Sequence, residues 1–319
     1  MSAKSMRQQF ADTILEVGQM DENLMVLVGD ISHFILQPFA KACPDRYYNV
    51  GICEPTIVSM AAGLAKVGFF PVVHTIAPFI IERAFEQIKL DFSYHRLGGN
   101  LVTVGSAFDY ANLGCTHHCY GDFALIKTLP NTQIFYPSTP VEFDALFKQN
   151  YKNGRVNLFR IPQEQHSISF DEKEIITGRG IKVAEGTDAT VIVTGPQLNK
   201  AIQARNELLK EGIELEILYM HTIIPLDTEL VKDSSAKTRR VLVIEEHMER
   251  GGLGDEVLRT IRCLKNVNFS SLSIPNQFVT EYGGYDILCE SVGFTVDNIR
   301  ERVRSLISNK SRKECKWVK

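Results

Sequence analysis

Along this chain, short apolar or β-branched runs alternate with longer stretches whose apolar residues return every three to four positions. The runs are "LMVLVGD" (24–30), "FFPVVHTI" (69–76), "NLVTVGS" (100–106), "TQIFYPS" (132–138) and "VNLFRIP" (156–162). Runs this short and this apolar read as strands, and the periodic stretches between them read as helices. Such alternation favours a largely parallel sheet with both faces covered by helices. After residue 162 the pattern lapses into the polar "QEQHSISFDEKEIITGRG" (163–180), then resumes with "ATVIVTG" (189–195), "IELEILYM" (213–220) and "RRVLVIEE" (239–246). The lapse sets a domain boundary between 163 and 187. The expected architecture is α/β: two doubly wound domains with mostly parallel sheets, one over residues 1–170 and one over 188–319, joined by a linker at 171–187. No internal repeat or low-complexity segment interrupts this.

Composition agrees and narrows the classes. The 319 residues are 44% hydrophobic and 23% charged, enough to build two cores. Net charge is -3, with acids and bases interspersed except in the tail "KSRKECKWVK" (310–319), so no basic face points to nucleic acid. That tail reads as a solvated terminus. No apolar run approaches the roughly 20 residues of a membrane span, and "MSAKSMRQQF" lacks the apolar core of a signal peptide. Seven cysteines, an odd number without a disulfide-like framework, suit a reducing compartment, and a cytoplasmic location is expected.

Four clusters carry candidate chemistry. In "NVGICEPTIVSMAAGLA" (49–65), Glu54 precedes Pro55 at a helix mouth, where the helix dipole favours a carboxylate. A helix-end charge is one reading. The other is functional, because the following residues are small and apolar enough to be buried. In "PFIIERAFEQIKLDF" (78–92), Phe79, Arg83, Gln87 and Asp91 fall four apart and would line one helical face. "GCTHHCYGDFALIKTLPNTQIFYPS" (114–138) sets a glycine turn, a hydroxyl and two histidines ahead of a helix, which could build a polar pocket. Its Cys115, His117, His118 and Cys119 raise a zinc reading, weakened because no second ligand pair stands elsewhere. In "EEHMERGGLGDEV" (245–257) the glycines resemble a phosphate loop only loosely, lacking the full G-x-G-x-x-G pattern or a P-loop lysine.

Taken in order, the clusters resemble the second half of a transketolase, the pyrimidine-binding domain followed by the C-terminal domain of thiamin-diphosphate enzymes. The carrying stretches are "NVGICEP" (near N-x-G-I-x-E), "FIIERAFEQI" (near F-x-x-x-R-A-x-D-Q-I), and "GCTHH" followed by "LPNTQIFYPS". Further on they are "AEGTDATVIVTG", "MHTIIPLD" and "VIEEHMERGGLG". The resemblance runs from about residue 6 to 305. It implies that Glu54 contacts the pyrimidine ring nitrogen of thiamin diphosphate, where a shared proton favours the cofactor's reactive tautomer. It implies that Phe79 stacks on the pyrimidine, with Ile80 the alternative if the alignment slips by one. Ile52 and Asp30 join the cofactor-binding set. His117 is implied to reach the substrate oxygen, with Arg160 and Gln163 also at the substrate. Arg83 and Gln87 are read as local scaffold.

What is missing shapes the rest of the expectation. Enzymes of this kind hold the diphosphate through Mg2+ with a G-D-G motif and a downstream Asn in a separate domain. Here only "GDI", "GDF" and "GDE" occur. The resemblance therefore implies half an enzyme, with Mg2+ ligands on a separate N-terminal transketolase subunit, self-association of this chain, and an α2β2 assembly acting on sugars. Two departures bear on the sugar. Leu113 stands where the family carries an acid, and "RIPQ" offers Gln163 where a second arginine would grip a phosphate. An ordinary pentose phosphate is thereby put in doubt. The rival expectations are the β subunit of a 2-oxoacid dehydrogenase, disfavoured by "GCTHH" and "MHTIIPLD", and a non-catalytic relative, disfavoured by Glu54, Phe79 and His117.

Overall fold

The computed structural model describes residues 4–308; the basic tail at 310–319 lies outside the described residues. Every strand expected above forms, and four more appear. In chain order the strands are β1 (Leu24–Val28), β2 (Tyr47–Asn49), β3 (Phe70–Ile76), β4 (Gly99–Val104), β5 (Thr132–Phe135), β6 (Val156–Ile161), β7 (Ile181–Ala184), β8 (Ala189–Val193), β9 (Leu215–Tyr219), β10 (Thr222–Ile224), β11 (Arg240–Met248) and β12 (Asn268–Ile274). A seven-stranded sheet has the order β10-β5-β6-β4-β3-β1-β2, and a five-stranded sheet the order β12-β11-β8-β9-β7. All pairings are parallel except β10 with β5 and β7 with β9. The central strands β1, β4 and β6 are buried along their whole length. That is why their sequences run apolar without alternation.

Two features depart from the expected division. First, β7 lies inside the stretch 171–187 expected to be a linker, yet it forms the edge of the second sheet. Its "IKVA" is short, with one buried residue and the rest partly or fully exposed, so it carries no strong apolar signal. Second, β10 comes from the second half of the chain but pairs with β5 at the edge of the first sheet, Thr222 opposite Phe135. The two halves also share one core: Phe135, Phe143 and Phe159 of the first belong to the same buried cluster as Val191, Tyr219 and Leu242 of the second. A buried polar knot reinforces the joint. Glu142 accepts from the Tyr219 hydroxyl at 2.7 Å and from the backbone N–H of Ser138 at 2.9 Å, and its other oxygen lies 2.7 Å from His166 Nε2. Contact with His166 holds the Glu142 carboxyl below its ordinary range although burial pushes the other way.

Candidate active site

Because the strands of the first sheet run parallel, the loops after their carboxyl ends gather at one edge, where open α/β sheets bind ligands. Asp30 follows β1, Ile52 and Glu54 follow β2, Phe79 follows β3, His117 follows β4 and Gln163 follows β6. The fold thus brings the candidates to one rim from five separate places in the chain.

Glu54 is the first residue of the helix Glu54–Lys66, with Pro55 next, and is only 1% exposed. Buried there, it is partnered by Arg83, whose Nη1 donates to Oε2 at 2.8 Å. Oε1 is buried with no hydrogen-bond partner among the described residues. A buried carboxylate oxygen without a donor is costly, so this atom is what a ligand N–H would satisfy. The Arg83 guanidinium also lies over the Phe79 ring, 4.3 Å from its centroid, and so ties carboxylate and aromatic into one unit. The Phe79 and His117 rings meet edge-on with their centroids 5.2 Å apart. Phe79 is half-buried, whereas Ile80 is wholly buried in the core. Of the two alternatives, only Phe79 offers ring surface. Ile52 is 72% exposed beside Glu54. Asp30 sits in the left-handed region at φ 55°, held by Asn49: its N–H donates to Asn49 Oδ1, and Asn49 Nδ2 donates to its Oδ1. A flat heteroaromatic ligand with a ring N–H fits the unpartnered Glu54 oxygen and the half-open Phe79 ring.

The single helical face expected for Phe79, Arg83, Gln87 and Asp91 does not form. The segment breaks into a helix at Ala77–Ile81, a turn, a helix at Phe85–Gln87 and a wider π-helical stretch at Ile88–Tyr94. Arg83 consequently swings from the turn to Glu54, and Asp91 instead accepts from the Ser59 hydroxyl at 2.6 Å.

The loop after β4 carries His117. A single bridge between Ala107 and Cys119 closes it, and the His117 ring contacts Thr116, Phe79 and Tyr110. Asp109 underlies this loop. Its Oδ2 accepts from the N–H of Ser106 and of Gln163, both at 2.8 Å, which ties the β4 loop to the β6 loop. Burial, then the charge of Glu246, pushes the Asp109 carboxyl up to about 7. Gln163 lines a cleft of about 300 Å³ together with Arg7, whose guanidinium donates to the Tyr110 hydroxyl. Arg7 and Asp109 carry no local sequence signal, because their partners Tyr110 and Gln163 are distant in the chain.

Arg160 is a correction. Expected at the substrate, it is 0% exposed and turned into the protein, where among the described residues only Nη2 of its guanidinium makes hydrogen bonds and Nη1 has no partner. Its guanidinium lies between the rings of Phe123 and Tyr136, at 4.6 and 4.7 Å. Nε stands 3.1 Å from Asp122 Oδ2, and Nη2 donates to the backbone carbonyls of Cys119 and Glu246 at 3.1 and 3.0 Å. The sequence pattern placed it at the strand end but not on which side of the sheet its head would close.

Two weaker readings also resolve. In "CTHHC", Cys115 is exposed, His118 is buried beside Phe108 and Tyr120, and the Cys119 thiol turns to Glu82. Among the described residues no group of three or more His, Cys, Asp or Glu side chains could hold a metal ion. The glycine loop after β11 is already occupied by a carboxyl of its own, which burial pushes up to about 7. The Glu245 carboxyl oxygens accept from the N–H of Leu253 and Gly254, at 2.5 and 2.8 Å, filling the seat that a phosphate would take. No helix among the described residues is long and apolar enough to cross a membrane.

A two-sheet α/β chain with a buried carboxylate beside a half-buried aromatic at the carboxyl ends of its strands has the form of a ligand-binding α/β protein. Comparison with known proteins makes this specific. The family model "Transketolase, pyrimidine binding domain" matches residues 2–166, and "Transketolase, C-terminal domain" matches 178–299. The chain is 30% identical over 287 residues to one of the subunits of the apulose-4-phosphate transketolase of Phocaeicola vulgatus, covering 88% of this chain and 91% of that protein. It is 30% identical over 305 residues to a putative transketolase C-terminal section of Methanocaldococcus jannaschii, covering 94% and 95%. A solved structure described as a split gene transketolase, inactive β4 tetramer, superposes with a TM-score of 0.86 at 28% identity, covering 96% of this chain and 99% of that one. The chain belongs to the transketolase family, and with it to the thiamin-diphosphate-dependent transferases.

Proposed function

We propose that this chain is the C-terminal subunit of a two-chain transketolase, transferring a two-carbon ketol unit between a ketose and an aldose. The observation that carries this reading is Glu54: a buried carboxylate pinned by Arg83 through one oxygen and open at the other, beside Phe79. Thiamin diphosphate, when bound, supplies the electron sink that allows a carbon–carbon bond beside a carbonyl to be broken and remade. This chain's residues do the positioning and proton work. Glu54 Oε1 would hold the pyrimidine ring nitrogen through a shared proton, with Arg83 keeping the carboxylate from turning away. Phe79 supplies the stacking surface, and Ile52 and Asp30 border it. His117 donates to the sugar oxygen. Residues 1–170 form the pyrimidine-binding unit and 188–319 the C-terminal unit, with 171–187 between them apart from β7.

The Mg2+ and diphosphate site belongs to a separate N-terminal chain, since this sequence has no G-D-G motif. Two copies of each chain form a cytoplasmic α2β2 heterotetramer. The inactive β4 state named for the structural relative supports partner dependence. The sugar is other than an ordinary pentose phosphate: the cleft offers a neutral amide at Gln163, and its guanidinium, Arg7, is already engaged with Tyr110. Support for an unusual sugar also comes from the relative named for apulose 4-phosphate.

The test is calorimetric titration with thiamin diphosphate and Mg2+, of this chain alone and of its complex with a G-D-G-bearing partner, alongside a ketol-transfer assay. Weak binding alone and tight, active binding in the complex are expected. Ring stacking and one hydrogen bond must otherwise offset immobilisation of the whole ligand. Tight metal-dependent binding and turnover by the lone chain would defeat the reading.

A further inference from the structure

We propose that Arg160 is a positioning residue: it fixes the loop that carries His117 and couples that loop to the C-terminal half of the chain. The inference deepens the proposed function and rests on it for the role of His117. The geometry is specific. Cys119, two residues after His117, is held on both sides of its backbone. Its N–H donates to the Ala107 carbonyl at 2.7 Å, and its own carbonyl accepts from Arg160 Nη2 at 3.1 Å. The same Nη2 reaches the Glu246 carbonyl in β11 at 3.0 Å, so one nitrogen joins the His117 loop to the second sheet. Phe123 and Tyr136 clamp the guanidinium plane, and Asp122, at the start of the helix Asp122–Lys127, balances its charge. The hydroxyl of Tyr136 in turn donates toward Glu246 Oε2 at 3.0 Å.

A buried ion pair contributes little net stability compared with apolar residues of the same volume. What this arrangement provides is direction. The planar guanidinium, stacked between two rings, holds one carbonyl of the His117 loop and one of the second sheet at set distances, which a flexible ammonium cannot do. Displacement of a substrate-contacting group by about 1 Å can cost on the order of 10²-fold in rate, so the Cys119 anchor bears directly on where the His117 ring stands.

The variants are R160K, which keeps the charge opposite Asp122, and the neutral pair R160M/D122N, which removes the guanidinium without leaving a carboxylate alone. Hydrogen exchange is measured on the purified chain, and kinetics on the reconstituted two-chain enzyme. Faster exchange is expected in segment 107–119, with segments 49–60 and 77–87 unchanged. In the complex, the sugar KM should rise or kcat fall by about tenfold or more. Thiamin diphosphate affinity should stay within about twofold, because Glu54, Arg83 and Phe79 lie on other loops. Unchanged exchange at 107–119 overturns the proposal. So does faster exchange with unchanged sugar kinetics, or a fall in cofactor affinity that matches the kinetic loss, which marks a merely structural role. If the wild-type complex shows no ketol transfer, the functional reading fails on its own, while the exchange arm still reports whether Arg160 holds the loop.

Discussion

Replacing Glu54 by glutamine separates chemistry from architecture at one atom. The amide keeps the length and volume of the side chain, and its oxygen can still face Arg83, so the helix start and the apolar packing beneath it remain. Stability changes little. Arg83 is 47% exposed and can turn to water, so the lost charge assistance costs about 0.5–1.5 kcal/mol. For a chain of this size that is a few degrees at most in Tm. Activity responds on another scale. An amide cannot share a proton with the pyrimidine nitrogen, and positioned acid–base groups are typically worth about 10²–10⁴-fold, or roughly 3–5 kcal/mol of barrier. The hydrogen bond itself is worth about 1 kcal/mol of affinity, an amount that saturating cofactor removes from the measurement. The assay is turnover of the two-chain complex at saturating thiamin diphosphate and sugar, with thermal melts of both chains in parallel. A glutamine variant within about threefold of wild-type turnover would refute the role given to Glu54.

Three further outcomes follow from the same geometry. His117→Ala should depress sugar turnover by about 10²-fold or more while calorimetric cofactor affinity holds; collapse of cofactor affinity with spared sugar kinetics would show that the ring serves the cofactor instead. Gln163→Arg, adding a second guanidinium to the Arg7 cleft, should raise kcat/KM for ketose phosphates by about tenfold over wild type; an unchanged preference between phosphorylated and unphosphorylated sugars would remove Gln163 from substrate selection. The third concerns acid. Burial, then the charge of Arg160, pushes His247 down to about 3. It stacks on Phe123, its Nδ1–H donates to the Met248 carbonyl, and Nε2 accepts from the Ala124 N–H. The folded state therefore binds the proton more weakly than the unfolded chain. The stability that the neutral ring contributes is complete above the unfolded value near 6.5 and drains away as pH falls from there toward 3. Urea unfolding at about pH 7.5 and about pH 5, either side of that unfolded value, should show the loss in the wild type and less of it in His247→Gln; equal losses would contradict the assignment.

The parallel strands were legible because strands buried on both faces must be apolar throughout, as in "LMVLV" and "ATVIV". The strands that escaped notice lie at sheet edges: β2 reads "YYN", β7 "IKVA", β10 "TII" and β12 "NFSSLSI". An edge strand carries half the burial and little of the signal. At the site, Glu54 and His117 stood out because each breaks a local pattern, a lone acid before an apolar run and a polar run before a helix. Arg7, from the first helix, and Asp109, within the β4 loop, did not. Their meaning lies in what the sheet order sets beside them, 103 residues away for Arg7 and Tyr110 and 54 for Asp109 and Gln163. Arg160 was found but misread, since a strand-end arginine points to solvent or to the interior according to packing by Phe123 and Tyr136.

The crossing of β10 to the edge of the first sheet has a consequence for biosynthesis. Until Thr222–Ile224 has been made, β5 presents a row of unpaired backbone groups, the kind of edge on which neighbouring chains pair and aggregate. At roughly 5–20 residues per second, the nascent first sheet waits several seconds for the strand that completes it. A chain truncated in the connector near residue 170 would wait indefinitely, and its natural fate is inclusion bodies rather than an isolated cofactor-binding domain.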